Sequence, residues 1–189
     1  MDLRDVEGDL TEVLFTEEQI QARLAELARE IEGDYPEGDV LLVAVLKGAV
    51  ILMADLSREL KFQARMDFMA VSSYGASTQS SGVVKILKDL DTEIAGKKVL
   101  LVEDIIDSGL TLKWLVDNLE SRGAASVEVV AMFRKPDAVK EDVRVKYIGY
   151  DIPPAFVVGY GLDYAENYRG VRGLGVLAPH VYGGEDPHA

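Results

Sequence analysis

At 189 residues, 48% hydrophobic and 28% charged, the chain has the size and composition of one globular domain with a sizeable core. It has no cysteine, which excludes disulfides, thiolate nucleophiles and Cys-ligated metals. Thirty-three acids against 20 Lys and Arg give a net charge of −13, which argues against nucleic acid as a partner. Any phosphate must then be held by local devices: backbone amides, a few placed cations, a metal ion.

The longest apolar run, Val40–Leu46, is too short to cross a bilayer. The start, Met1-Asp2-Leu3-Arg4-Asp5, is acidic and lacks the apolar stretch of a signal peptide. No membrane is expected, and the cytoplasm is the expected compartment.

In chain order, Thr16-Glu17-Glu18-Gln19 has the form of a capping box. It opens a helix whose apolar stripe is Ile20, Leu24, Leu27, Ala28 and Ile31, ended by Gly33 and Pro36. Val40–Leu46 suits a strand buried on both faces of a parallel sheet. Lys47-Gly48 turns the chain into a second helix with Leu52, Met53, Leu56 and Leu60 inward. Strands are expected at Met66–Val71 and Val83–Leu87, separated by the small, polar loop Ser72–Gly82. Further strands are expected at Val99–Val102, Val127–Phe133, Val145–Gly149 and Phe156–Val158. A helix from about Leu110, with Leu112, Leu115, Val116 and Leu119 on one face, ends at Gly123. Beyond Gly159 there is little periodicity. The alternation predicts an α/β fold with a mostly parallel sheet flanked by helices, with chemistry at the carboxyl ends of strands.

One such end carries Glu103-Asp104-Ile105-Ile106-Asp107-Ser108-Gly109-Leu110-Thr111. Its acids precede Ser108, Gly109 and Thr111, which open a helix whose free amides form an anion site. Acid beside an anion cradle suits a phosphosugar bearing both a diol and a metal. Glu103 and Asp104 would face the ribose hydroxyls and Mg²⁺, and Ser108–Thr111 the 5′-phosphate. The bland alternative is a strand–turn–helix in which Asp107 or Ser108 merely caps the helix.

The full string resembles the phosphoribosyl-pyrophosphate motif of type I phosphoribosyltransferases, and with the segments below it is similar to their hypoxanthine-guanine branch. The likeness runs from about Val13 to Leu177. It implies a single domain over 1–189, with a core of roughly 38–150 and a small hood from the N-terminal and 155–189 segments. A flexible loop, with Ser73 and Tyr74 among the substrate contacts, would close over the site. The resemblance makes Leu46, Lys47 and Gly48 a pyrophosphate-side turn with a cis peptide between Leu46 and Lys47. Glu103 to Thr111, including Ile105, Ile106 and Leu110, would bind the phosphosugar. Asp107, close in sequence to the phosphate cradle, is expected to be the general base or the carboxylate that stabilises the base's proton. Leu110 stands where several relatives carry a polar side chain. Lys135 would donate to a purine O6, Phe156 would stack on the ring, and Val157 would bond the base through its backbone. Asp163 would hold a second Mg²⁺ alongside the Glu103 and Asp104 site, and Arg169 would bind pyrophosphate. No role is implied for Arg134, and the two histidines, His180 and His188, read as surface residues.

The implied activity is Mg²⁺-dependent transfer of phosphoribosyl to hypoxanthine or guanine, in a homodimer or homotetramer. The rivals are a xanthine- or pyrimidine-directed transferase on the same fold, a nucleotide- and RNA-binding regulator, and an acidic-pocket receiver domain. The regulator lacks its basic face here, and the receiver has no use for the Ser-Gly-Leu-Thr helix start.

Overall fold

The computed structural model of the chain describes residues 1–73, 84–141 and 143–183. A 3-10 segment, Leu3–Asp9, leads into strand β1 (Leu10–Phe15) and helix α1 (Glu17–Asp34). Then come β2 (Val40–Leu46), α2 (Val50–Glu59), β3 (Arg65–Ser73), β4 (Val84–Lys88), β5 (Lys98–Ile106) and α3 (Leu110–Ser121). The chain continues through β6 (Ser126–Arg134), β7 (Tyr147–Asp151), β8 (Val157–Val158) and β9 (Leu174–Leu177).

Six strands form the main sheet in the order β4-β3-β2-β5-β6-β7. All its pairings are parallel except that of β3 with β4. Successive side chains of a strand point to opposite faces. Val40, Leu42 and Ala44 of β2 therefore pack with α1 and α2, and Leu41 and Val43 with α3. With both faces covered, the central strands read as continuous apolar runs. The predicted stripe of α1 is the buried one, and its cap is the Thr16–Gln19 box. The helix runs through Gly33 to Asp34, and its C-cap is Tyr35, whose amide donates to the Ile31 carbonyl at 2.9 Å.

A second, antiparallel sheet has the order β1-β9-β8 and is built from the segments to which the resemblance assigns a hood. Phe15 at the end of β1 stacks on Tyr150 of β7, with centroids 4.0 Å apart, and so fixes the small sheet to the large one.

Three expectations need correction. The strand expected at Val99–Val102 continues as β5 to Ile106, because Glu103, Ile105 and Ile106 keep pairing with Ala131, Phe133 and Arg134. Glu103 and Asp104 thus lie within a strand. The strand expected at Val145–Gly149 lies two residues later, where Tyr147 to Asp151 register with Val130 to Arg134. Leu10–Phe15 and Leu174–Leu177, where the pattern predicts no strand, form β1 and β9.

Candidate active site

The carboxyl ends of β2, β5 and β6 and the segment after β8 bring most of the singled-out residues together. Burial pushes the Glu103 carboxyl well above its ordinary range, and the neighbouring Asp104 charge pushes it further. Asp104 is pushed up to about 6, chiefly by burial. The Ile105 amide, donating to Asp104 Oδ1 at 2.8 Å, and the Arg169 charge oppose that rise, while Asp163 adds to it. These are acids short of cationic company. Gly48 packs so closely beneath Asp104 that a Cβ at Gly48 would overlap the carboxylate. The Leu46–Lys47 peptide is cis.

Asp107 follows β5 directly, and its Oδ2 lies 3.3 Å from the Nζ of Lys135, which is buried. Beyond it, Gly109 is the N-cap of α3 in a left-handed conformation, φ 79°, and as glycine it brings no side-chain cap of its own. That conformation is what the glycine supplies, and it removes the reading in which Asp107 is merely a cap. The first helical hydrogen bond runs from the Lys113 amide to the Gly109 carbonyl, so the amides of Leu110, Thr111 and Leu112 precede the ladder. Ser108 Oγ stands 3.5 Å from the Leu110 nitrogen. Such a helix start draws anions.

The segment from Gly159 to Arg169 is wound tightly. Tyr160, Ala165, Glu166 and Tyr168 all have positive φ, with Gly159 and Gly161 beside them. Non-glycine residues adopt that region at a cost and cluster where surrounding structure holds them. Asp163 accepts the Glu166 amide at 2.9 Å and pairs with Arg169 at 2.7 Å. Arg169 also donates to the Gly161 carbonyl at 2.8 Å, and its buried Nε has no hydrogen-bond partner among the described residues. Glu166 reaches the Lys47 ammonium at 3.0 Å. Gly161 touches the Gly48 carbonyl, where a Cβ would overlap it.

Phe156 is 7% exposed and meets Tyr164 and Tyr182 edge-on, at 5.8 and 5.4 Å. Val157 is buried opposite Val176 in the small sheet. Ser73 ends β3, whereas Tyr74 and nearly all of the Ser72–Gly82 loop lie outside the described residues, as does His188. His180 is exposed.

Over residues 12–165 the chain matches the phosphoribosyl transferase domain. The chain belongs to this family. It is 56% identical over 181 residues to the hypoxanthine-guanine phosphoribosyltransferase of Mycobacterium tuberculosis, covering 93% of this chain and 90% of the relative. The Bacillus subtilis protein of the same name is 50% identical over 174 residues, covering 92% and 97%. Among solved structures, a hypoxanthine phosphoribosyltransferase from Staphylococcus aureus superposes with a TM-score of 0.91 at 44% identity, covering 94% of this chain and 97% of that one.

No group of three or more acids or histidines forms a metal cage among the described residues. An all-protein cage is not what Mg²⁺ generally uses. It takes one or two carboxylates and completes its octahedron with water and substrate phosphates. The under-compensated pair Glu103 and Asp104, with Asp163 nearby, fits that donor set.

Arg134 and Glu166, for which the sequence implies no role, each make defined contacts. Arg134 makes a bidentate fork with Asp151, at 2.7 and 3.0 Å, across the β6–β7 pairing, which gives it a structural role. Glu166 joins Lys47 to the Arg169 side, at 3.0 and 3.5 Å, through a left-handed turn that no spacing rule announces.

Proposed function

We propose that the chain is a purine-salvage enzyme transferring 5-phosphoribosyl from phosphoribosyl pyrophosphate (PRPP) to N9 of hypoxanthine or guanine, giving IMP or GMP and pyrophosphate. The observation that carries the reading is the pairing of buried Lys135 with Asp107 beside the Gly109-led start of α3. In this reading a donor for a base, an acid for its proton and a cradle for a phosphate lie together at the carboxyl ends of β5 and β6.

In this reading the amides and hydroxyls of Ser108–Thr111 hold the 5′-phosphate, and Glu103 and Asp104 receive the ribose hydroxyls. Lys135 offers only donors, so it accepts a 6-oxo group and rejects a 6-amino group. Phe156 stacks on the base and the Val157 backbone bonds its edge. The N9–C1 bond forms as the bond from C1 to pyrophosphate breaks, and Asp107 takes up the proton that the base loses. Arg169 and the turn of Leu46, Lys47 and Gly48 attend the departing pyrophosphate. Glu103 and Asp104 would hold one Mg²⁺ and Asp163 a second, each with substrate oxygens, and bound metal would supply charge neutralisation for the departing pyrophosphate. The Ser72–Gly82 loop would shield C1 from water.

The whole chain would act as one domain, in the cytoplasm, as a homodimer or homotetramer. Val50 and Met66, exposed apolar side chains, offer a surface for such self-association. The test is to incubate the protein, Mg²⁺ and PRPP with hypoxanthine, guanine, xanthine or adenine and follow pyrophosphate release. Release with hypoxanthine or guanine, abolished by excess EDTA, is the expected result. Release that continues undiminished in EDTA would overturn the metal's part.

A further inference from the structure

We infer that Tyr160 and Asp55 are positioning residues that hold the pyrophosphate-side loop in register with the turn of Leu46, Lys47 and Gly48. The inference rests on the reading of the site given above. Tyr160 is 2% exposed, yet its φ is +46°, a conformation a bulky residue adopts only when its surroundings hold it there. Its hydroxyl donates to Asp55 Oδ2 at 3.0 Å. The same carboxylate oxygen receives Gln21 Nε2 of α1 at 3.0 Å, and Arg58 binds the other oxygen. Asp55 is therefore bonded to α1 and within its own helix, and Tyr160 is tied through it to both helices. Burial beside that carboxylate pushes the tyrosine hydroxyl well up, so it remains a donor.

The consequence lies on either side of the tyrosine. Its amide donates to the Val171 carbonyl at 2.8 Å, and the next amide, of Gly161, donates to the Arg169 carbonyl at 3.0 Å. The Arg169 guanidinium returns a bond to the Gly161 carbonyl, and Gly161 rests on the Gly48 carbonyl. Asp55, meanwhile, sits on α2, which begins at Val50 immediately after that turn. One hydroxyl thus couples α2 and its preceding turn to the loop bearing Asp163 and Arg169. Neither Tyr160 nor Asp55 is assigned a contact with substrate.

The experiment compares wild type, Tyr160→Phe, Asp55→Ala and the double variant in steady-state transfer, with calorimetric binding of PRPP in the presence of Mg²⁺. Tyr160→Phe keeps the ring, which packs edge-on to Phe133 at 6.3 Å, and leaves Asp55 its other donors. The expected result is a KM and Kd for PRPP raised about 5-fold or more, with kcat and the KM for hypoxanthine within about 2-fold. The double variant should be no worse for PRPP than Asp55→Ala alone, as two residues acting through one contact require. If Asp55→Ala does not fold, Tyr160→Phe decides the matter. An unchanged affinity for PRPP, an equal loss for both substrates, or additive effects would each overturn the inference. Wild type that transfers to no purine would instead sink the reading of the site, whatever the variants do.

Discussion

Lys135 and Asp107 meet because the sheet puts them one step beyond its last registered pair. Ile106 and Arg134 are partners across β5 and β6, and the Lys135 amide donates to the Ile106 carbonyl at 2.9 Å. Their side chains then face each other at 3.3 Å, the lysine 7% exposed and the acid near solvent. A buried ammonium whose chief protein partner is one carboxylate still has donors to offer.

The first prediction concerns the base. Setting a 6-amino group against that ammonium leaves two donors face to face, and a site built to bond one group rejects an analogue lacking it strongly. Turnover of hypoxanthine or guanine should exceed that of adenine by at least about 100-fold. Comparable kcat/KM values for adenine would remove Lys135 from the recognition of O6.

The second prediction separates chemistry from binding. Asp107→Asn keeps the shape and an acceptor for Lys135 but removes the charge and the basicity. It should lower kcat by about 10²–10⁴-fold while leaving the KM for PRPP near its original value. Thr111→Val removes a hydroxyl aimed at a phosphate bound both before and during reaction, so it should raise that KM more than it lowers kcat. Because the N-cap of α3 is Gly109 and not Asp107, a fully active Asp107→Asn enzyme could not be explained as a silent change of cap. It would show that the acid has no part in the reaction.

The third prediction follows from crowding under Asp104. A methyl group at Gly48 overlaps that carboxylate, and one at Gly161 overlaps the Gly48 carbonyl. Asp104 and the pyrophosphate-side turn must shift to admit either. Gly48→Ala should therefore cost about 1–3 kcal/mol of stability and weaken PRPP far more than hypoxanthine, read by calorimetry on each ligand. A Gly48→Ala protein with unaltered affinity for PRPP would show that this turn does not meet it.

Much of this arrangement is legible in sequence, for identifiable reasons. The α1 stripe and the β2 run are visible because periodicity reports burial directly. The run from Glu103 to Thr111 is visible because acids and a helix start are contiguous. The Lys135–Asp107 pair is not visible as a pair: 28 positions separate its members, and only the β5–β6 register joins them. β9 is hidden for another reason. Its neighbourhood is rich in glycine, which reads as loop, yet Gly173 and Gly175 press against Phe15, Leu10 and Glu12 of the partner strand. There glycine permits close approach of strands and does not mark a turn. β5 outlasts its apolar run because Glu103 and Asp104 are polar residues inside a strand, a local conflict of the kind that functional sites retain.

The last prediction uses the unligated protein and pH. Asp104 titrates near 6 when folded, raised mainly by burial, against an ordinary value of 3.8. Between those two values the folded chain binds more of this proton than the unfolded chain does, so stability falls as pH rises through the window. Above about 6 the deficit is fully present and constant. Asp104→Asn keeps an acceptor for the Ile105 amide and carries no charge at any pH. It also relieves Glu103, whose own rise owes something to the Asp104 charge. The difference in Tm, variant minus wild type, should therefore be small near pH 4 and grow in the variant's favour up to about pH 6–7. For a chain of this size a gain on the order of 1 kcal/mol corresponds to about 2–4 °C. Acids that other bonds hold low, Asp67 and Asp151 among them, lose their contributions at acid pH in both proteins and cancel in the difference. Mg²⁺ with PRPP should reverse the order at neutral pH, because the wild-type charge then has a partner and the variant's amide does not. A difference that stays flat from pH 4 to 7, or shrinks as pH rises, would mean that Asp104 is not the under-compensated acid its surroundings describe.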